Sequence, residues 1–298
     1  YKYVNSSLSD SWKNQMLLIA DDDDNGAHML QTESLYNEML KSPSGGQFFY
    51  NKLFLDSYVK TNNQYPEAHE QMMRMLREGV MFLSYIGHAN TSSWSHEGLL
   101  TYEDICNLYY KRIPVVYAAT CEFMRWDAVA ISGGEIMFKT DNGGVIAMIS
   151  ACRPVFIADN GTLTNYLGSK LLERDKDGNF MPIGEILRRA KNVFAETNKS
   201  NSNKLRYALM GDPAMRFTTP TNVVALETID GKPVNFDDQV TIMANQDVTL
   251  TGAVYDAKGN RMSDFNGMIE ATLFDAERSV TTLGQGDNGL EVTYEEQG

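Results

Sequence analysis

Cysteine is scarce in this 298-residue chain: Cys106, Cys121 and Cys152 are the full set. Three thiols cannot close a set of intramolecular disulfides, and they lack the short paired spacings of a structural zinc site, so at least one is free in a monomer. Positive charge is also short, with 26 Lys and Arg against 39 Asp and Glu and a formal charge of -13. A surface of that sign repels phosphate backbones and anionic headgroups, which argues against nucleic acid as a partner. No apolar run is long enough to cross a bilayer, so the chain is expected not to span a membrane. Residues 1–10 carry no basic and apolar export signal, and residues 293–298 end just after a strand-like run. Both ends read as cuts in a larger protein.

What is present is enough apolar sequence, 43% of residues, to bury a core that offsets backbone entropy. Short runs rich in Val, Ile, Leu, Phe and Tyr at 16–20, 48–55, 80–86, 114–120 and 144–150 predict buried strands. Segments of helical spacing lie among them, at 29–40, 66–78, 102–109, 134–139, 163–173 and 183–196. Alternation of this kind implies parallel strands joined by right-handed crossovers. The expected fold is a three-layer α/β/α sandwich with a mainly parallel sheet over residues 1–218.

The pattern changes after Thr218. Residues 223–229, 239–243, 248–255 and 268–274 alternate apolar and polar side chains, and turn clusters such as Asp230-Gly231, Ala244-Asn245-Gln246-Asp247 and Lys258-Gly259-Asn260 separate them. This predicts an immunoglobulin-like all-β domain over 219–298, with Thr218-Thr219-Pro220-Thr221 as the boundary.

In an open parallel sheet, ligands bind beyond the carboxyl ends of the strands. Two of those ends carry chemistry. The strand at 80–86 runs into Gly87-His88-Ala89-Asn90, and the strand at 114–120 runs into Cys121-Glu122. The two residues are 33 positions apart, which fits one strand, helix, strand step. A thiol becomes a strong nucleophile when a base takes its proton, and an imidazole within reach does so. The backbone N–H groups of Cys121 and Ala89 are the candidate oxyanion donors, and Gly87 is expected to give the chain room to turn. Trp94 and Trp126 flank these loops and fit either walls for an extended peptide or core packing.

Gly87-His88 after one apolar strand, Cys121 after Val115-Val116-Tyr117-Ala118-Ala119-Thr120, and Leu209-Met210-Gly211-Asp212-Pro213-Ala214 together resemble the gingipain family of cysteine peptidases, over roughly residues 16–218. The resemblance implies a caspase-like fold, a Cys121–His88 dyad and a protein or peptide substrate. It also implies a carboxylate after the first strand that orients His88, for which Asp22 and Asp23 are both candidates; a solvated acidic turn is the plainer reading of that run. By the same likeness Ser150, Ala151, Cys152 and Arg153 line the primary specificity pocket. Trp94-Ser95-His96-Glu97 and Thr120-Cys121-Glu122-Phe123 are most similar to the sortases of the bacterial type IX secretion system, as is the β region at 248–256 followed by Asp264-Phe265-Asn266-Gly267. That similarity implies cleavage of C-terminal sorting domains from exported cargo, transfer of the new carboxyl end to an acceptor, outer-membrane secretion-system subunits as partners, and an extracellular or cell-surface location on a Gram-negative bacterium. Gingipains proper usually carry Gly after the histidine, where this chain has Ala89, a change that bears on trypsin-like specificity more than on catalysis.

Other features are read more plainly. His28, His69 and His96 are expected to be structural or superficial, and Cys106 to fill core. The Asp21–Gly26 run misses the EF-hand pattern at its twelfth position, Thr32. Asp175-Lys176-Asp177-Gly178-Asn179 has oxygens for a structural calcium, though a surface turn explains it more simply. No other cofactor and no catalytic metal is expected. Triplets beginning at Asn5, Asn90, Asn160 and Asn198 carry little weight in a bacterial protein. The rival to an enzyme is a non-catalytic surface-binding module on a degenerate peptidase fold. A third reading, an intracellular caspase-like protease, would demand Asp at the cleavage site, with Arg153 as the basic residue that reads it.

Overall fold

A computed structural model describes residues 11–197, 202–219, 222–235, 240–243, 245–256, 258–267, 269, 271, 273–286 and 288–297. Asn5, Asn198, Pro220, Thr221, Gln239, Ala244 and Met268, each named above, lie outside them. The chain divides into two compact units, one of residues 1–173, 180–219 and 274–298, the other of 174–179 and 220–273.

The first unit is built on six strands: β1 (Gln15–Ala20), β2 (Phe49–Phe54), β3 (Phe82–Ile86), β4 (Val115–Ala119), β5 (Ala147–Ala151) and β6 (Tyr207–Met210). Their order is β2-β1-β3-β4-β5-β6, parallel throughout except for the antiparallel β5–β6 edge. Helices α1 (Ala27–Leu40), α2 (Pro66–Glu78), α3 (Tyr102–Cys106), α4 (Gly133–Lys139), α5 (Ile157–Leu171), α6 (Ile183–Thr197) and α7 (Ser202–Arg206) complete it. The expected strands and crossover helices fall where periodicity placed them. Edge strand β6 and short α7 do not stand out in the sequence.

Strand alternation sorts the core into two apolar clusters. Met16, Leu18, Ile86, Tyr117, Ala119 and Ile149 pack with Leu35 of α1, Leu163 and Leu167 of α5 and Ile186 of α6. Leu17, Ile19, Tyr85, Val116, Ala118 and Met148 pack instead with Met72 of α2, Ile105 of α3 and Met137 of α4. Each buried Leu or Ile contributes about 1.5–3 kcal/mol, so the two faces together fix the strand register and with it the level of every strand end. Cys106, expected in the core, is exposed, because α3 ends there and turns its last side chain outward.

Residues 274–298 belong to this unit rather than to the β region before them. Strands β10 (Arg278–Thr281) and β11 (Thr293–Glu296) form an antiparallel pair. Val292 and Tyr294 join Ala20, Met29 and Phe54 in a small apolar cluster, and Lys52 Nζ donates to Glu295 O at 2.6 Å. The loop between the strands is clamped by Asp56, whose carboxylate accepts from the N–H groups of Gly284 (2.7 Å) and Gln285 (2.5 Å).

The second unit contains one antiparallel sheet, β8-β7-β9, from β7 (Val223–Ile229), β8 (Lys232–Pro233) and β9 (Leu250–Tyr255). Neither 240–243 nor the described part of 268–274 is a strand. Among the described residues Val224, Leu226 and Leu250 are exposed, while the neighbouring Ala253 and Val254 of β9 are buried. Asp175 closes its turn on itself, its Oδ1 accepting from the N–H groups of Asp177 and Asn179, each at 3.0 Å.

Candidate active site

The neighbouring parallel strands β3 and β4 pair in a register that sets Ile86 opposite Ala119. Both residues belong to the cluster under α1, α5 and α6. His88 and Cys121 each stand two residues beyond that pair, so they follow adjacent strand ends at one level, about 4.8 Å from strand to strand. Their surroundings agree. The His88 ring meets His28 of α1 edge-on, centroids 5.1 Å apart. The Cys121 sulfur lies 3.4 Å from the N of Val155, which donates to it, and 3.7 Å from Val155 O, just ahead of α5.

The His88 loop is held from several directions. Its N–H donates to Asp21 Oδ2 at 2.8 Å, and its carbonyl accepts from Tyr85 Oη (2.5 Å) and Ser95 N (2.8 Å). The ring stacks on His96 at 4.8 Å, and Nε2 sits 3.1 Å from Asp24 Oδ2. A Cβ on Gly87 would lie 2.5 Å from Asp21 Cβ and 2.6 Å from Tyr85 Oη. Glycine is required here by that close packing, not by a positive φ.

The four acidic residues after β1 face different partners, which corrects the sequence reading of the third residue. Asp22 turns away from His88, accepting from Tyr65 Oη at 2.6 Å and Lys60 Nζ at 3.1 Å. Asp23 Oδ2 is 2.9 Å from His96 Nδ1. The carboxylate that reaches His88 is Asp24. It does so because Asp24, Asn25 and Gly26 all take positive φ (57°, 57° and 71°), a left-handed turn that Asp, Asn and Gly tolerate better than other residues. Asp24 also lies 3.5 Å from Nε2 of His28, four residues on in α1. That spacing was a legible signal: Asp24 and His28 sit one turn apart.

Electrostatics separates these groups further. Burial, joined by the His88 charge, pulls the His28 ring down to about 4 against the pull of Asp24 and Asp22, so it is neutral at neutral pH. Burial pushes the Asp21 carboxyl well above its usual range, opposed by the His88 N–H and aided by Asp22, Glu97 and Asp23. Lys60 loses hydration, yet its bonds to Glu97 and Asp22 outweigh that loss and hold it up at about 12. Among the described residues two groups could hold a cation: Asp24 with His28 and His88, and Asp21 with Asp23 and Glu97.

The Cys121 loop is more open. Cys121 is half-buried and Glu122 takes φ 52°. The N–H groups of Cys121 and Ala89 donate to no described group. Of the expected pocket residues, Ser150 and Ala151 are buried within β5, and Ser150 Oγ donates to Ala118 O at 2.8 Å; they cannot line a pocket because they are interior strand. Cys152 continues the pairing, its N–H donating to Arg206 O at 2.9 Å. Arg153 reaches the rim and pairs with Asp127. Trp94 is buried, stacked on Tyr85 at 4.5 Å, so it is core, not wall. Trp126 is exposed, as are Val129, Ile131 and, beside the Val155 contact, Phe156.

The sequence matches the family model of Peptidase family C25 over residues 1–218. The chain belongs to this family. The Arg-specific cysteine proteinase gingipain R superposes with a TM-score of 0.61 at 13% identity, over 99% of this chain and 70% of that one. The complex of the pro- and mature domains of Porphyromonas gingivalis RgpB gives 0.61 at 13% identity, over 99% and 71%. At such identities these likenesses show the fold alone, and it is the gingipain caspase-like fold for this C25 member. Dimeric latent PorU from Porphyromonas gingivalis is 29% identical over 52% of this chain and 15% of that one, with a TM-score of 0.26, too poor a superposition to bear on the fold. No curated protein matches the chain. No helix among the described residues of this C25 chain is long and apolar enough to cross a membrane.

Proposed function

We propose that this chain is a cysteine endopeptidase with Cys121 as nucleophile and His88 as its acid–base partner. The observation that supports it is the Ile86–Ala119 register, two residues beyond which, on adjacent strands, stand His88 and Cys121. With Nε2 held by Asp24, Nδ1 of His88 takes the thiol proton. The thiolate attacks the scissile carbonyl carbon, and the oxyanion draws on the N–H groups of Cys121 and Ala89. As the carbon–nitrogen bond breaks, His88 returns the proton to the leaving amine, leaving a thioester. Water then releases an acid, or an amine acceptor takes the acyl group.

The finer reading is that of a sortase acting at the cell surface on C-terminal sorting domains of type IX secretion cargo, with transfer to an acceptor. Its support is the sequence likeness of the 94–97 and 120–123 segments, together with the exposed apolar rim of Trp126, Val129, Ile131 and Phe156, which suits an extended peptide. An immunoglobulin-like fold after residue 218 is part of the same proposal, supported by the antiparallel β8-β7-β9 sheet.

Iodoacetamide at neutral pH, with modified peptides mapped, tests the dyad against the exposed thiol of Cys106 as internal reference. Cys121 is expected to react at least about tenfold faster than Cys106, and His88→Ala to abolish that excess. A Cys121 that reacts no faster than Cys106 and ignores His88→Ala would leave the binding-module reading in its place. Cargo fused to a sorting domain should be cut at the domain junction, and Cys121→Ala should leave it whole.

A further inference from the structure

We propose that the loop joining β10 to β11 is a positioning element for His88, holding the Asp24-Asn25-Gly26 turn that sets Asp24 against the imidazole. Its effect on chemistry rests on the Cys121–His88 reading above, whereas its hold on the turn does not.

The turn needs support from outside itself. Three successive residues take positive φ, and two of them carry side chains that disfavour that region. Helix α1 begins directly behind them, capped by Gly26, which has no side chain to bond the first helical amides.

The hairpin loop touches the turn at each of its parts. Asn288, 263 positions from Asn25, donates from Nδ2 to Asn25 Oδ1. A Cβ on Gly286 would overlap the carbonyl oxygen of Asp22, so the loop backbone lies directly on the backbone of the acidic run. A Cβ on Gly26 would lie 2.9 Å from Val292 Cγ2 and 3.3 Å from Leu290 Cδ2. Val292 is buried with Ala20, which ends β1, and with Met29 in the first turn of α1. The loop thus spans the bend from one side to the other.

The loop is itself anchored. Besides the Asp56 carboxylate clamp, the Asp56 carbonyl accepts from Leu283 N at 2.8 Å. Gln285 accepts from Lys60 N at 2.9 Å and donates to Tyr58 O at 2.7 Å. Thr282 and Val292 close its neck, with Thr282 N donating to Val292 O and Val292 N to Thr282 Oγ1, both at 2.9 Å. Without that surface against it, Asp24 would relax toward the right-handed region and carry its carboxylate away from His88.

The test combines Gly286→Ala, which collides with the Asp22 carbonyl, with Asn288→Ala in the whole chain; Asn288→Ala alone serves if the pair does not fold. Crystal structures read the turn directly, and Asp24 is expected to leave φ 57° and lose its 3.1 Å contact with His88 Nε2. Alkylation by iodoacetamide reads the consequence, with Cys106 as reference. The double variant should cut the excess reactivity of Cys121 by about three- to tenfold, and should add less than about twofold to the loss caused by Asp24→Asn, because loop and carboxylate act through one contact. Arg278→Ala, at the far end of the hairpin in an exposed pair with Glu296, should change neither readout. A turn that keeps its geometry in the variants overturns the proposal whatever Cys121 does. So does a loss that multiplies with that of Asp24→Asn, since the loop would then act by another route. A parent without excess reactivity at Cys121 sinks the dyad alone, and the variant structures then decide whether the loop holds the turn.

Discussion

The loop that carries His88 and the loop that carries Cys121 leave neighbouring strands at the same level, yet they are built differently. The histidine loop is fixed at its N–H, its carbonyl and its ring, which stacks on His96 and meets His28 edge-on, and it rests on buried carboxylates. The cysteine loop has a left-handed residue directly after the nucleophile, unengaged N–H groups and an exposed apolar rim. One loop is over-determined; the other is left open to a ligand. A base must hold one orientation, whereas a nucleophile with its oxyanion donors must leave space for the substrate carbonyl.

The largest effect that would sharpen this contrast comes from His28, which lies under the fixed loop and has no counterpart under the other. Its folded pKa of about 4 lies below the unfolded 6.5, so the folded chain binds fewer protons between those values. Stability from this group is present above 6.5 and is lost as pH falls towards 4, by roughly 3 kcal/mol in all. Asp21 works the other way, because its raised pKa favours the fold as pH falls through the folded value. Urea unfolding at pH 7.5 and 4.5 should therefore show about 2–3 kcal/mol less acid loss in His28→Gln than in the parent. Equal losses in the two proteins would mean that His28 is not a buried neutral ring.

Next in size is the orienting carboxylate. A hydrogen bond to a charged group is worth about 1.5–3 kcal/mol, so Asp24→Asn should lower kcat/KM by roughly 10- to 100-fold. The loss should fall on kcat and move the acid limb of its pH profile, as expected of a positioning residue. Asp22→Asn removes the partner of Tyr65 and Lys60 and should lower the melting temperature while leaving that profile in place. If Asp22→Asn shifted the profile and Asp24→Asn did not, the left-handed turn would not serve to aim Asp24.

The same contrast explains what the sequence could disclose. Strands and crossovers were legible because burial on two faces demands long apolar runs, and strand ends are where open sheets place chemistry; His88 and Cys121 followed from that. Asp24 was not chosen over Asp22 and Asp23, because four identical side chains differ only in backbone φ. Trp94 and Trp126 could not be told apart, since burial of one against Tyr85 depends on a contact between a loop and a strand. Ser150 and Ala151 are the last two residues of β5, and boundary errors of that size turn core into pocket. Residues 274–298 read as part of the β domain over 219–298. Val292, Tyr294 and Lys52 give them partners in the α/β unit that no local pattern announces.

The smallest effect concerns the open loop's rim. Arg153 donates to both oxygens of Asp127 and to the Cys152 carbonyl at 2.7 Å. Asp127 in turn lies near Arg125, which pairs with Glu122 at 2.8 Å. Such a chain of exposed pairs adds little to stability, because solvent screens it and long side chains lose entropy in it. Arg153→Ala is therefore expected to leave the melting temperature unchanged. It should also leave the preference at the cleavage position unchanged, since the guanidinium is already taken up on the protein. A peptide library scanned with both proteins decides this. If the parent selects acidic residues there and Arg153→Ala does not, the arginine must leave Asp127 to read the substrate, and the open loop would be the part that rearranges on binding.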